Sequence, residues 1–158
     1  MISQTLVIGL GNSFRGDDGV GLVVVRRLRE LEFPEVTLRE ESDPGAALME
    51  AWKNAADVIL IDAAQSGAAP GTIHRLDATR VAIPSRFFHY STHAFSVAEA
   101  VELARSLNRL PPRLILFGIE GHDFTMGEKL SSEVAAAVDE LLNRLRTELE
   151  GADERTRT

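Results

Sequence analysis

Short apolar runs alternate with amphipathic helical patterns along the whole sequence, and this alternation limits the chain to layered α/β folds. Buried strands are predicted at Thr5–Gly11, Asp57–Ala63 and Leu114–Ile119, because these runs are apolar on both faces. A further strand is predicted at Glu35–Arg39 and a short edge strand at Thr72–Leu76. We therefore predict a single three-layer α/β/α domain with a mostly parallel, twisted, five-stranded sheet.

The helical patterns predict four helices between and after these strands. They are expected from near Asp17, at Ala46–Asn54, at Ala94–Leu107 and after the predicted N-cap Ser131. Gly151 is expected to end the last helix, because glycine is the residue most often found just beyond a helix C-terminus. The domain is thus predicted to cover residues 1–150, followed by a disordered tail at 151–158.

Composition and charge exclude several classes of function. The formal net charge is −7, so the surface should repel nucleic acid and anionic membranes. Cysteine is absent, which excludes disulfides, thiolate metal sites and a cysteine nucleophile. No segment is long and apolar enough to span a bilayer, and Met1 leads into a strand without the pattern of a secretory signal, so we expect a cytoplasmic protein. A small molecule, a metal or another protein is left as the partner.

Three side chains that can bind metal follow predicted elements at the same edge of the sheet. Asp18 comes after the first strand, Asp62 ends the third, and His93 begins the helix after a long irregular connection. Ligands collect outside the carboxyl ends of strands in doubly wound sheets, so we predict that the three lie in one coordination sphere, with His89 as a reserve ligand. Two carboxylates and an imidazole suit a borderline divalent ion and leave positions open, without choosing between nickel and zinc.

Each of these residues also has an ordinary structural explanation. Asp17 is expected to cap the first helix, where it would stabilise the helix dipole. Asp62 could be a turn or cap residue, and His93 a helix-entry histidine, as could His74 and His122. Only the convergence of Asp18, Asp62 and His93 favours a site.

Two other kinds of site are considered. The segment Gly9–Gly16 invites a dinucleotide-binding interpretation, but Phe14 stands where the third glycine of that fingerprint belongs, and the two following aspartates would repel a pyrophosphate. An aspartic dyad of Asp18 and Asp62 sharing one proton is conceivable, although His93 beside them favours metal binding.

Four sequence blocks resemble the hydrogenase maturation proteases. They are VIGLGNSFRGDDGVG at Val7–Gly21, ILIDAA at Ile59–Ala64 with APGT at Ala69–Thr72, STH at Ser91–His93, and FGIEGHDFTMGEKLSSEV at Phe117–Val134. The blocks run in the family's order over nearly the whole chain, and the first is the most specific of them. The fold implied is of the phosphorylase/hydrolase-like type.

The resemblance implies a nickel-dependent endopeptidase. Its substrate would be a [NiFe]-hydrogenase large-subunit precursor, from which it would remove the C-terminal extension after nickel insertion. Asp18, Asp62 and His93 match the family's metal-binding positions, and the nickel would be delivered on the precursor. We expect the free protein to be a monomer.

One departure from the family pattern concerns the turn after the second strand. Family members commonly carry D-G-G-T-x-G, whereas this chain has Glu40–Gly45 and keeps only the final glycine; Asp43 could partly take over an acidic role there. The departure bears on which hydrogenase is the client. Two competing functions are a non-catalytic nickel-sensing assembly factor for the precursor and a nucleotide-binding enzyme of Rossmann type.

Overall fold

A computed structural model of the chain describes residues 4–42, 47–84, 97–127 and 129–157. Its five strands form one sheet in the order β2-β1-β3-β5-β4. The strands are β1 (Gln4–Leu10), β2 (Val36–Glu41), β3 (Ala55–Ala64), β4 (Ile73–Asp77) and β5 (Arg113–Glu120). Only β4, at the edge, runs antiparallel to its neighbour β5, and the other pairings are parallel. The predicted fold is confirmed.

The helices of the described chain cover both faces of this sheet. They are α1 (Val20–Leu31), α2 (Ala47–Ala51), α3 (Val97–Ser106) and α4 (Ser132–Arg157). A short 3-10 helix at Gly16–Gly19 leads into α1, so the first helix begins slightly later than predicted. None of these helices combines the length and apolar character that crossing a membrane requires.

Alternate residues of the central strands point into two separate cores. In β1, Leu6 and Ile8 pack with α2 and α3 in one core, while Val7 packs with α1 and α4 in the other. The same alternation runs through β3, where Leu60 and Ile61 lie in different cores. The central strands are apolar on both faces because helices cover both sides of the sheet.

The last helix does not end where the sequence indicated. Helix α4 passes Gly151 and continues to Arg157, so the prediction that Gly151 ends it is wrong, and the helix crosses the predicted boundary at residue 150. A glycine inside a helix costs only about 1 kcal/mol relative to alanine, and residues 152–157 contain no proline to stop the helix. Glycine marks a helix end only when the chain turns there.

Two glycines bring α1 onto the backbone of the sheet. A Cβ on Gly9 would lie 2.2 Å from the carbonyl oxygen of Gly21, and one on Gly21 would lie 2.3 Å from that of Ile61. The start of α1 therefore rests directly on β1 and β3. This close approach places the 3-10 helix over the carboxyl ends of both strands.

We predict that Gly21→Ala destabilises the fold by about 1–3 kcal/mol, because the added Cβ overlaps backbone that cannot move independently. Glycine to alanine in an ordinary helix interior stabilises by about 1 kcal/mol, so the sign of the change is the test. Urea denaturation measures it, with the exposed helix substitution Glu30→Ala as control. A stabilised Gly21→Ala protein would contradict the close packing.

Candidate active site

Asp62 lies at the carboxyl end of β3, in register with Gly118 of β5. Its Oδ1 accepts a hydrogen bond from the Ala63 N–H at 2.8 Å, and the side chain is partly exposed. The parallel arrangement of β1 and β3 sets this carboxylate at the edge of the sheet that the 3-10 helix covers.

Asp18 is part of the 3-10 helix and closes the loop that precedes it. Its Oδ2 accepts the Asn12 N–H at 3.1 Å, and its own N–H donates to the Arg15 carbonyl at 3.1 Å. These contacts fix the side chain of Asp18 to the loop after β1. Its carboxylate is held on the rim of the sheet.

The carboxylates of Asp18 and Asp62 interact electrostatically. Burial raises the pKa of Asp62 well above its usual range, the negative charge of Asp18 raises it further, and the hydrogen bond from Ala63 opposes both effects. Asp62 keeps some exposed surface, but the surrounding protein excludes most of the water from its carboxylate. Burial is therefore the largest cause of its raised pKa. Two of the predicted site residues are therefore neighbours on the rim.

The third predicted residue, His93, lies outside the described residues, as do His89 and Asp43. Within the part of the chain that the structure describes, no group of three or more histidine, aspartate or glutamate side chains could hold a metal ion. A shared coordination sphere for Asp18, Asp62 and His93 stays a prediction.

Asp17 has a different role from the one predicted. It is 0% exposed, and its carboxylate accepts hydrogen bonds from the N–H groups of His122, Asp123 and Ser131 at 2.7, 2.9 and 2.8 Å. The Ser131 hydroxyl donates a further bond at 2.8 Å. Asp17 does not cap α1, so that prediction is wrong. It fastens the loop at 121–131 to the 3-10 helix.

The predicted N-cap Ser131 is confirmed in its backbone role. Its carbonyl accepts the Ala135 N–H at 2.9 Å, as the residue before the first turn of α4 should. Its hydroxyl donates to Asp17 instead of capping the helix. The start of α4 is thereby tied to the same carboxylate as the loop.

A second buried carboxylate, Glu120, was not identified from the sequence. It ends β5, is 2% exposed, and accepts hydrogen bonds from the N–H and the hydroxyl of Ser66. Nε2 of His74 lies 3.1 Å from its Oε1. Glu120 therefore holds the turn that follows Asp62 against the edge of the sheet. The position of Glu120 at the end of an apolar run was the feature of the sequence that could have identified it as buried.

Comparison with known proteins identifies the class. The model of the hydrogenase maturation protease family matches residues 22–148. The chain belongs to this family. The matched region includes Asp62 and begins after Asp17 and Asp18.

Relatives of known sequence agree with this assignment. A Methanocaldococcus jannaschii protein described as a hydrogenase maturation protease is 32% identical over 145 residues, covering 87% of this chain and 90% of that protein. The hydrogenase expression/formation protein HupD of Thiocapsa roseopersicina is 29% identical over 122 residues, covering 74% of this chain and 54% of HupD. The family is that of hydrogenase maturation endopeptidases, which are hydrolases.

Solved structures show the same fold. The hydrogenase maturating endopeptidase HybD from E. coli superposes with a TM-score of 0.79 at 23% identity, covering 94% of this chain and 93% of HybD. The [NiFe] hydrogenase maturation protease HycI from Thermococcus kodakarensis gives a TM-score of 0.72 at 21% identity, covering 94% of each chain. The α/β architecture described above is therefore that of these proteases.

We predict that Asp17→Ala destabilises the fold by about 3 kcal/mol or more, because several buried donors lose their acceptor at about 1–3 kcal/mol each. Chemical denaturation measures the loss. Asp123→Ala is the matched control, since Asp123 lies in the same loop but is exposed, and its carboxylate accepts hydrogen bonds from Thr125. An Asp17→Ala protein as stable as this control would contradict the anchoring role.

We predict that Asp62→Asn makes the folded protein more stable than the wild type as pH rises above the usual aspartate range. The pKa of Asp62 is raised on folding, so its stabilising contribution is complete below the unfolded-state pKa and is lost as pH rises through the folded-state pKa. Asparagine avoids that loss and can still accept the Ala63 N–H.

Denaturation of both proteins across a pH series measures the difference in unfolding free energy. Asp18→Asn should reduce the pH dependence, because it removes the neighbouring charge that raises the pKa of Asp62. A wild-type to Asp62→Asn difference that does not change with pH would show that the pKa of Asp62 is not raised.

Proposed function

We propose that this hydrogenase maturation protease removes the C-terminal extension of a [NiFe]-hydrogenase large-subunit precursor after nickel insertion. Asp18, Asp62 and His93 are the residues that meet the nickel, which arrives on the precursor as part of the substrate. Cytoplasmic location and a monomeric free state, both expected from the sequence, accompany this proposal as predictions.

The observation that carries the proposal is the pair of neighbouring carboxylates at the end of β3 and in the 3-10 helix that precedes α1. The charge of Asp18 raises the pKa of Asp62, so the two negative charges disfavour each other when no cation is between them. A divalent cation bound to both would relieve this repulsion. Carboxylate oxygens with one imidazole also leave coordination positions that a client's own ligands can fill.

The same pair supports hydrolysis. A carboxylate whose pKa is raised is a stronger base, once deprotonated, than an ordinary aspartate, and the pKa of Asp62 is raised. Asp62 therefore takes the proton from the attacking water, and Asp18 helps to hold the cation. The nickel of the precursor, when bound, polarises the groups that it contacts. Cysteine is absent from the chain, so no thiol nucleophile competes with water.

We propose that the turn at 65–71, which directly follows β3 and its Asp62, forms one wall of the substrate site. Ser66 and His74 are held by the buried carboxylate of Glu120, and the Gly71 N–H donates to the Glu120 carbonyl at 2.8 Å. This wall is thereby fixed to the sheet before any substrate arrives. A fixed wall contributes to catalysis by holding the scissile peptide near the attacking water.

We predict that the protein cleaves nickel-loaded precursor and leaves nickel-free precursor intact. The physical reason is that shared coordination of nickel positions the peptide, and three oxygen and nitrogen ligands alone should bind free nickel weakly. Mass spectrometry of the large subunit after incubation gives the result, and calorimetry gives the affinity of the free protein for nickel. Equal cleavage of both precursors would refute the gating, and tight stoichiometric nickel on the free protein would indicate a resident catalytic metal.

Variants separate the enzyme from an assembly factor. Asp62→Asn and His93→Ala should each reduce processing by at least about a hundredfold while the protein stays folded, the size typical for loss of a key catalytic group. Asp77→Asn is the matched control, because Asp77 ends the antiparallel strand β4 toward the opposite end of the sheet. Stable binding of nickel-loaded precursor without any change in its mass would favour the non-catalytic assembly factor.

A further inference from the structure

Two of the exposed large apolar side chains extend from neighbouring backbone segments beside the acidic pair. Phe14 is 59% exposed and Met126 is 78% exposed. The N–H of Gly127 donates to the Phe14 carbonyl at 2.9 Å, and Arg15 forms a parallel β-bridge with Gly127. The loop after β1 and the loop after β5 are thus joined at Phe14, Arg15 and Gly127, and Met126 is the residue before Gly127. We call Phe14 and Met126 the apolar rim.

The backbone beneath the apolar rim is fixed on both sides. The Phe14 N–H donates to Asn12 Oδ1 at 2.9 Å, and the Gly16 N–H donates to the Gly127 carbonyl at 2.7 Å. The buried carboxylate of Asp17 holds the second loop to the first through the bonds described above. An apolar contact on a rigid backbone binds a partner with little loss of conformational entropy.

The apolar rim belongs to the same loop as Asp18. Asn12 donates its N–H to Asp18 Oδ2, and Asp18 donates its own N–H to the Arg15 carbonyl, so Phe14 lies between two residues bonded to Asp18. Isolated exposed apolar residues are common and need no explanation. Two of them on one fixed backbone next to the candidate active site indicate a contact surface.

We infer that the apolar rim docks an apolar segment of the large-subunit precursor next to the scissile bond. The inference rests on the proposed function and adds a specificity element to it. The acidic pair binds the metal of the substrate, and the apolar rim contacts the polypeptide chain of the substrate. A client with apolar side chains beside the cleavage point is preferred over one with charged side chains there.

Other occupants fit the apolar rim less well. A buried aromatic side chain contributes about 150–250 Å², so two side chains fall far short of the roughly 1,200–2,000 Å² that a stable dimer interface buries. A membrane surface is disfavoured because Asp18 is bonded to the loop that carries Phe14, and the exposed Asp123 lies in the loop that carries Met126, on a chain of net charge −7. A peptide segment held at the same time by the acidic pair needs only a small apolar contact.

The experiment measures kcat and KM for nickel-loaded precursor with the full-length protein. Phe14→Ser and Met126→Ser should each raise KM by about tenfold and leave kcat close to the wild-type value, as expected when one apolar anchor is removed from an interface. Phe14→Leu should restore most of the affinity. Leu107→Ser is the control, because Leu107 is 53% exposed and follows α3. It lies near the amino ends of the strands, where the Trp52 Nε1–H donates to the Arg109 carbonyl.

The outcomes distinguish this inference from the proposed function. Processing by both serine variants at wild-type kcat and KM, or a fall in kcat alone, would overturn the docking role while the protease activity stands. If the wild type processes no precursor, the proposed function fails, and the affinity of the wild type for nickel-loaded precursor, compared with that of Phe14→Ser, then decides. Weaker binding with Phe14→Ser supports docking, whereas equal binding or none overturns it.

Discussion

The carboxylate of Asp17 is the contact on which the arrangement of the site depends. A buried ionisable group is tolerated only when hydrogen bonds replace its hydration, and here three N–H groups and a hydroxyl do so. Those donors come from the loop after β5 and from the start of α4. One side chain therefore fixes the 3-10 helix, that loop and the last helix relative to one another, and Asp18 inherits its position.

Acidic side chains on this rim divide into two kinds. Asp17 and Glu120 are buried and accept several hydrogen bonds, so their role is to stabilise the fold. Asp62 instead faces the like charge of Asp18, and its pKa is raised. An electrostatically unfavourable pair has no use in holding the fold together, whereas pairs of this type are typical of sites that bind cations or transfer protons. This contrast, more than the number of carboxylates, distinguishes the pair that we propose to be functional.

The parts of this structure that depend on local pattern were predictable from sequence. Asp62 at the end of an apolar run had to lie at the carboxyl edge of a parallel sheet, and Asp18 after the first strand had to lie near it. The role of Asp17 was not predictable, because its donors are 105–114 residues away and capping is the commonest local use of such a residue. Gly151 also shows that local sequence does not decide every boundary. Its position in the sequence is typical of a helix end, but the chain continues in helical conformation.

The combination of an acidic pair with a small apolar contact also bears on product release. A processing enzyme must bind its precursor and then let the shortened product go. If the interface were apolar and extensive, the product would dissociate slowly, because differences in affinity between related complexes lie mostly in the dissociation rate. Two weak contacts joined by one substrate act together only while the chain between them is intact. If the precursor is held as we propose, cleavage between its nickel and its apolar segment separates the two contacts, so that each fragment keeps a single weak contact and dissociates. The weakness of each contact is then a condition of turnover.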